Sequence, residues 1–340
     1  MPKYEARDIN EQAWEQFIVS HPEANFLHSW QWGEFHIKLG KTVLRRGLYK
    51  SGELVGVVVG VVEPARRGRH LSIAGGPIID WRDIELVATV AAELRRLATE
   101  NNCVFVRVRP QLEKTPESLS LFKQVGFKPA PMYLSAEHVG IIDLTQSDEA
   151  IMSGLSSSLR RKIRQAEKAG VKVEVTKDKG RLREFYDIQL ETAKRQQFVP
   201  FSFDFLEKQF EAFAERDQVL LYTASHEGEV LAQNFIIFYG QEADYHYGVS
   251  TEAGTRLSAA PLLHLEAIRE ARRRGCSRYN FWGIVDLDDT KHRFYGVSQF
   301  KRSFGVKDLK YVPAHDLVIK PAAYLKNWVI ETLRRKARHV

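Results

Sequence analysis

Only two cysteines occur in 340 residues, which leaves little basis for disulfide or thiolate chemistry. Cys103 and Cys276 sit at or just before the strand-like runs CVFVRV and CSRYNFW, so both are expected to be buried, reduced thiols. His264, His292 and His315 are scattered and lack partners at ligand spacing, so no metal site is expected. No G-x-S-x-G turn offers a serine nucleophile, and cysteines in apolar contexts are poor ones. Long apolar runs are missing as well. The longest, Leu54 to Val62, is interrupted by Gly56 and Gly60 and is too short to cross a bilayer. The first seventeen residues, MPKYEARDINEQAWEQF, hold no apolar segment of a secretory leader. A cytoplasmic protein that works without disulfide, metal or covalent nucleophile is the expectation.

What is present is an ordinary globular composition, 44% hydrophobic and 27% charged, on a chain long enough for two domains. The formal charge is +7, and the excess is clustered at Arg66-Arg67-Gly68-Arg69, Arg160 to Lys168, Arg272 to Arg274 and Arg334 to Arg338. Such clusters suit polyanions: RNA, phosphorylated substrates or an anionic membrane surface.

Apolar periodicity gives an ordered succession of elements. Residues 8–19 form a first helix with Asp8 as N-cap, and an aromatic segment, FLHSWQWGEF, leads into a second that ends near Gly40. Thr42 to Tyr49 and Leu54 to Val62 then form a hairpin across KSGE, followed by a strand from His70, a helix from Ile84 to Thr99 and a buried strand from Cys103. The second half repeats this order. Val219 to Ser225 and Val230 to Tyr239 make a hairpin across HEGE, Ala243 to Tyr247 is the next strand, Pro261 to Arg274 a helix and Ser277 to Trp282 a buried strand. Even the closing motifs correspond, LFKQVGF at 121–127 and QFKRSFG at 299–305, so one fold has been used twice.

Two stretches carry the chemistry. In QFKRSFG, Lys301 stands between Phe300 and Phe304, a setting that buries the aliphatic stem and leaves the ammonium for a ligand. In SLRRKIRQAEKAG, Leu155, Leu159, Ile163 and Ala166 make an apolar stripe while Arg160, Arg164 and Lys168 recur at i, i+4 and i+8. Only Glu167 offsets five cations there, and Gly170 closes the helix. That face reads either as solvated surface or as a contact for phosphates. The acidic turn with Asp286, Asp288 and Asp289 reads as loop chemistry or as a group that positions an amine.

The motifs FLHSWQWGEF, SLRRKIRQAEKAGV, ETAKRQQF, YHYGVS, FWGI and FKRSFG, in that order, resemble the Fem family (FemABX) of peptidoglycan interpeptide-bridge aminoacyltransferases over Asn25 to Asp316. The resemblance implies an α/β fold of tandem GNAT-like domains, each a mixed twisted sheet flanked by helices. It divides the chain into residues 1–147, rejoined by a C-terminal helix at 318–340, and residues 148–317. Arg181 to Arg216 holds ordinary helices interrupted at Pro200, similar to the arm-less FemX-like form. The implied activity is transfer of an amino acid from aminoacyl-tRNA to the stem-peptide amine of UDP-MurNAc-pentapeptide or lipid II. No cofactor is implied, and the chain is expected to be a monomer, with contact at the inner face of the cell membrane.

Carried over by position, Lys301 is the lysine beside the reacting centre, Arg195 contacts the diphosphate of the precursor, and Tyr245, Tyr247 and Phe300 line the same channel. Trp32 with His36 and Lys38 stands where the arm-less form holds precursor phosphate by a lysine. Arg109-Pro110 replaces an aspartate before proline. Arg160, Arg164 and Lys168 are the candidate tRNA contacts, and Leu325, Trp328, Val329 and Leu333 of the last helix are expected to face protein. Two other readings remain. An acyl-CoA-dependent GNAT needs a glycine-rich pyrophosphate loop, which Gly254-Thr255-Arg256-Leu257-Ser258-Ala259 does not match. A non-catalytic tRNA- or membrane-binding module would need the basic helix and not Lys301.

Overall fold

The structure, a computed structural model, describes residues 3–65, 68–196 and 199–338, with the side chains at 195, 196 and 336–338 outside that description. The chain divides into two units, residues 1–138 with 309–340, and residues 139–308.

The first unit begins with β1 (Tyr4–Arg7), α1 (Glu11–Ile18) and α2 (Trp30–Lys38). The N-cap of α1 is Asn10, whose Oδ1 accepts from Ala13 N at 2.9 Å, rather than Asp8, which pairs with Arg46 instead. The hairpin follows as β2 (Thr42–Lys50) and β3 (Glu53–Glu63), turning at Ser51 and Gly52, both at positive φ (50° and 89°). Next come β4 (Arg69–Gly75), β5 (Ile78–Ile79), α3 (Ile84–Glu100), β6 (Cys103–Pro110), α4 (Pro116–Gln124) and β7 (Lys128–Pro129).

The second unit holds β8 (His138–Asp143), α5 (Asp148–Gly154), α6 (Ser157–Lys168), β9 (Lys172–Thr176), α7 (Leu182–Gln196) and α8 (Phe203–Ala214). Its hairpin is β10 (Val219–His226) and β11 (Glu229–Tyr239), again turning through two positive-φ residues, Glu227 and Gly228. Then come β12 (Glu242–Ser250), α9 (Glu252–Arg256), α10 (Ala259–Arg273), β13 (Arg278–Gly283), α11 (Tyr295–Arg302) and β14 (Lys307–Lys310). The chain closes with β15 (His315–Val318) and α12 (Pro321–Arg338).

Among the described residues the first sheet runs β1-β2-β3-β4-β6-β15-β7, with β5 beside β3, and the second runs β14-β8-β13-β12-β11-β10-β9. Strand β8 pairs with β13, which sets the division between the units at 138/139 and not at 147. In each unit an antiparallel hairpin leads to a strand that crosses through a helix to a parallel neighbour, β4 to β6 through α3 and β12 to β13 through α10. Apolar side chains of α3 pack with Leu71, Ile73 and Val106, and those of α6 and α10 with Leu220, Ile236 and Ala243. Tandem mixed α/β units are what the sequence pattern implied.

Two parts of the helical reading change. Leu155 is extended (ψ 139°) and lies outside α6, between α5 and the N-cap Ser156, although it remains buried with Leu159, Ile163 and Ala166. In α12, Leu325, Trp328, Val329 and Leu333 are exposed, because the buried face is the one carrying Tyr324 and Asn327.

Candidate active site

The second unit's parallel pair is short. Strands β12 and β13 stay in register only from Glu242↔Arg278 to Asp244↔Asn280 and then separate. Two local features open them. On β12 the pairing with β11 jumps from Ile236↔Tyr245 to Phe235↔Tyr247, so His246 is a bulged residue. On β13, Trp282 adopts φ 64°, and its N–H donates to Asn280 Oδ1 at 2.8 Å. A bulky residue in the left-handed region is uncommon, and such strain concentrates at functional sites.

Lys301 enters this region from the last turn of α11. Its side chain is 7% exposed, its Nζ donates to the Gly283 carbonyl at 2.8 Å and lies 5.7 Å from the centre of the Tyr245 ring. Burial lowers its pKa from the usual 10.5 to about 7. His264, from α10, stands in the same cluster: its ring is 4.4 Å from that of Tyr245, 5.6 Å from Phe300 and 5.3 Å from Phe304. Burial, with the charge of Lys301 as a lesser cause, lowers this imidazole to about 3, so it is neutral, and its Nδ1 shares a 3.0 Å hydrogen bond with the Tyr279 hydroxyl. Burial also raises the Tyr245 phenol to about 12, so the lysine is the group here that changes charge near neutral pH. Its ammonium form can donate to a developing oxyanion, and its amine form can accept a proton.

The bulge separates the two tyrosines. Tyr245 pairs with Ile236 and packs on the α10 side with Lys301, while Tyr247 pairs with Phe235 and so points to the other face. There its ring lies 5.1 Å from Phe201 and 5.6 Å from Phe235, and burial pushes its phenol well up. The expectation that Tyr245, Tyr247 and Phe300 line one channel with Lys301 is therefore corrected: Lys301, Tyr245 and Phe300 come together, and Tyr247 does not join them. Helix α7 packs against β12 and carries Arg195 in its last turn, but that side chain lies outside the described residues.

The other sequence candidates have settled positions. Trp32 is half-buried with its ring 4.8 Å from His36, and His36 is 6% exposed. Burial, aided by Lys41, lowers the His36 imidazole to about 3, so it cannot replace a cation toward phosphate; Lys38 is exposed at the end of α2. Arg109, 1% exposed, is directed inward to Ser135 and to Gln111 Oε1 (2.7 Å) and serves the first unit's interior. Asp286, Asp288 and Asp289 lie in an exposed loop. On α6, Arg160 is half-buried and its Nη1 donates to the carbonyls of Ser153 (2.9 Å) and Leu155 (2.7 Å), closing the end of α5. The outward crest opposite Leu159, Ile163 and Ala166 is Arg161, Arg164 and Lys168, all exposed and without an ion-pair partner among the described residues. No cluster of metal ligands occurs among the described residues.

His264, Tyr279 and the strained Trp282 are the site residues that sequence reasoning missed. A histidine inside the apolar helix run PLLHLEAI was the available signal, since a buried imidazole needs a partner. The distance between His264 and Lys301 along the chain hid their common place around the Tyr245 ring.

An acetyltransferase (GNAT) domain model matches residues 154–302, and the FemAB family model matches residues 9–120. The lipid II:glycine glycyltransferase of Staphylococcus saprophyticus is 20% identical over 98% of this chain and 96% of its own length. Among solved structures, FemX superposes with a TM-score of 0.86 at 18% identity, over 96% of this chain and all of that one (100%). A tandem GNAT protein from the clavulanic acid biosynthesis pathway matches with a TM-score of 0.57 at 11% identity, over 93% and 98% of the two chains.

Proposed function

We propose that the chain is a two-unit relative of the FemAB family, whose model matches residues 9–120, and that it transfers an amino acid from aminoacyl-tRNA to the stem-peptide amine of a peptidoglycan precursor, UDP-MurNAc-pentapeptide or lipid II. The observation that carries the reading is the buried lysine with a near-neutral pKa, held at 2.8 Å by a strand-end carbonyl where the second sheet opens. An aminoacyl ester is already activated, so the protein must align two substrates and stabilise charge, with no covalent nucleophile. The acceptor nitrogen attacks the ester carbonyl carbon, and its π electrons move to oxygen. Lys301 Nζ, in its ammonium form, donates to that oxyanion. That attack forms the C–N bond; collapse of the intermediate then restores the carbonyl and breaks the ester C–O bond, and the departing ribose oxygen takes up the proton lost by the acceptor amine to leave as a hydroxyl. Gly283 O fixes the direction of Nζ, and neutral His264 keeps a second positive charge away from it.

The RNA body needs sequence-independent contacts, which the cationic crest Arg161, Arg164 and Lys168 supplies. Arg160, engaged at the end of α5, is replaced in that role by Arg161.

The GNAT match also raises acyl-CoA transfer, but the loop between β12 and α10 is built for other ends. A short helix, α9, occupies it, and a side chain at Gly254 would collide with the Leu231 carbonyl, so that glycine serves close backbone packing. Helix α10 starts from Ser258, which is left-handed and makes no side-chain cap. The experiment is a radiolabel transfer assay that offers each charged tRNA in turn with UDP-MurNAc-pentapeptide or lipid II, beside acetyl-CoA with the same acceptors. Label on the stem peptide from one charged tRNA is the expected result; label from acetyl-CoA alone would replace this reading with the other.

A further inference from the structure

Helix α12 is amphipathic with its faces reversed from the usual arrangement. The side turned to β6 and β15 carries, beside the packing of the Tyr324 ring on Phe105, an ion cluster: Arg107 of β6 makes a two-point ion pair with Asp316 (2.8 Å on both oxygens) and reaches Glu331 Oε2 at 2.8 Å, while the Tyr324 hydroxyl donates to Asp316 at 3.1 Å. Residues 324, 327 and 331 recur at i, i+3 and i+7, and they define the inward face. On the opposite side Leu325, Val329 and Leu333 recur at every fourth residue, exposed by 63%, 43% and 61%, with Trp328 beside them at 41%. A row of large apolar side chains on solvent is unfavourable unless something covers it.

Charge identifies the cover. Within residues 321–338 the sole acid is Glu331, and it is committed inward, against Lys326, Arg334, Arg335, Lys336 and Arg338. A second copy laid on this face would bring two cationic helices together. RNA would call for a face made mainly of cations, whereas here Lys326 shares the face with Leu325, Val329 and Leu333. Large apolar residues with exposed Lys326 among them, a tryptophan at the flank and exposed Arg334 and Arg335 toward the C-terminal end match a helix lying in the headgroup layer of an anionic bilayer. No helix among the described residues is long and apolar enough to cross a membrane, so this contact lies in the plane of the surface.

We propose that α12 seats the protein on an anionic lipid surface through Leu325, Trp328, Val329 and Leu333. The purpose of that seat, access to a lipid-linked acceptor, rests on the transferase reading; the seat itself does not. The test is sedimentation of the full chain with phosphatidylglycerol vesicles or with phosphatidylcholine vesicles, both free of any peptidoglycan precursor. Binding to the anionic vesicles that weakens with salt is expected. The triple substitution Leu325→Ser, Val329→Ser and Leu333→Ser, at exposed positions that leave the fold intact, should lower that partitioning by about tenfold or more. Its transfer to the water-soluble UDP-linked acceptor should be unchanged. Equal binding to both kinds of vesicle, or undiminished binding by the triple variant, overturns the proposal. So does a dimer that the triple variant abolishes, which would assign the face to a second copy, or a selective loss of RNA binding. If vesicle binding holds while no tRNA and acceptor pair gives transfer, the functional reading falls and the membrane seat stands.

Discussion

Residues 121–127 and 299–305 carry the same Phe-Lys pair at the end of the same fold, and the two units use it in opposite ways. In the first unit Phe122 is buried against Trp81, Phe127 and His315, and Lys123 is exposed. In the second the lysine turns in and Phe300 is half-buried beside it. The sheets explain the difference. Strands β4 and β6 remain paired from Arg69↔Cys103 to Gly75↔Pro110, whereas β12 and β13 part after Asp244↔Asn280. A closed pair offers a lysine no space and no carbonyl; an open one offers both. Two copies of one scaffold stand side by side in the sequence, and the bulge at His246 with the positive φ of Trp282 distinguishes the one that holds the candidate site.

Buried cations sharpen the comparison further. Arg107 of the first unit is matched by two carboxylates, while Lys301 of the second holds a backbone carbonyl. Arg107→Ala should therefore destabilise the protein by roughly 3–5 kcal/mol, because Asp316 would stay buried without its cation. Chemical denaturation reads this, and a loss below about 1 kcal/mol would show that the ion cluster is open to water. Lys301→Met should do the reverse, stabilising by ~2 kcal/mol at pH 7 and below even though one hydrogen bond is lost. The sign follows from the lowered pKa. Below about 7 both folded and unfolded chains hold the proton, so the cost of burying the charge is fully present, and it fades as pH rises toward the ordinary 10.5. Thermal melts of the two proteins from pH 6 to pH 10 should converge; a constant gap would mean that the lysine is solvated.

The smallest expected effect concerns the second unit's surface. Replacing Arg161, Arg164 and Lys168 by Gln preserves helix propensity and should flatten the slope of log K for tRNA against log salt by about two to three. Arg160→Gln should leave that slope alone and lower stability instead, since its hydrogen bonds close α5. A slope that changes with Arg160 and not with the triple substitution would reverse the assignment.

Much of the fold was legible because periodicity speaks for each element alone. Both hairpin turns, KSGE and HEGE, announced themselves through a glycine, Gly52 or Gly228, that accepts positive φ, and α6 through its 159, 163, 166 stripe. The burial of Lys301 was legible from its phenylalanine flanks. What stayed hidden depends on tertiary partners. The bulge that sends Tyr245 and Tyr247 to opposite faces arises in the pairing with β11, and a strict alternation read from YHYGVS places them together. His36 reads as a polar helix residue until its burial makes it neutral. The apolar face of α12 was expected to turn inward, but Arg107, on a strand more than two hundred positions away in sequence, claims the polar face through Glu331. Arg160 looked equivalent to Arg164 because sequence spacing contains no information about the end of α5.

The central claim is that the opened second sheet, through Lys301, is where acyl transfer occurs, and single-turnover transfer from charged tRNA to the stem-peptide acceptor tests it most directly. Lys301→Ala should lower the rate by about 10²–10³ with tRNA binding retained, as loss of one oxyanion donor does elsewhere, while Lys123→Ala in the closed unit should match the parent protein. Equal rates for Lys301→Ala and the parent, or a comparable loss from Lys123→Ala, would contradict it.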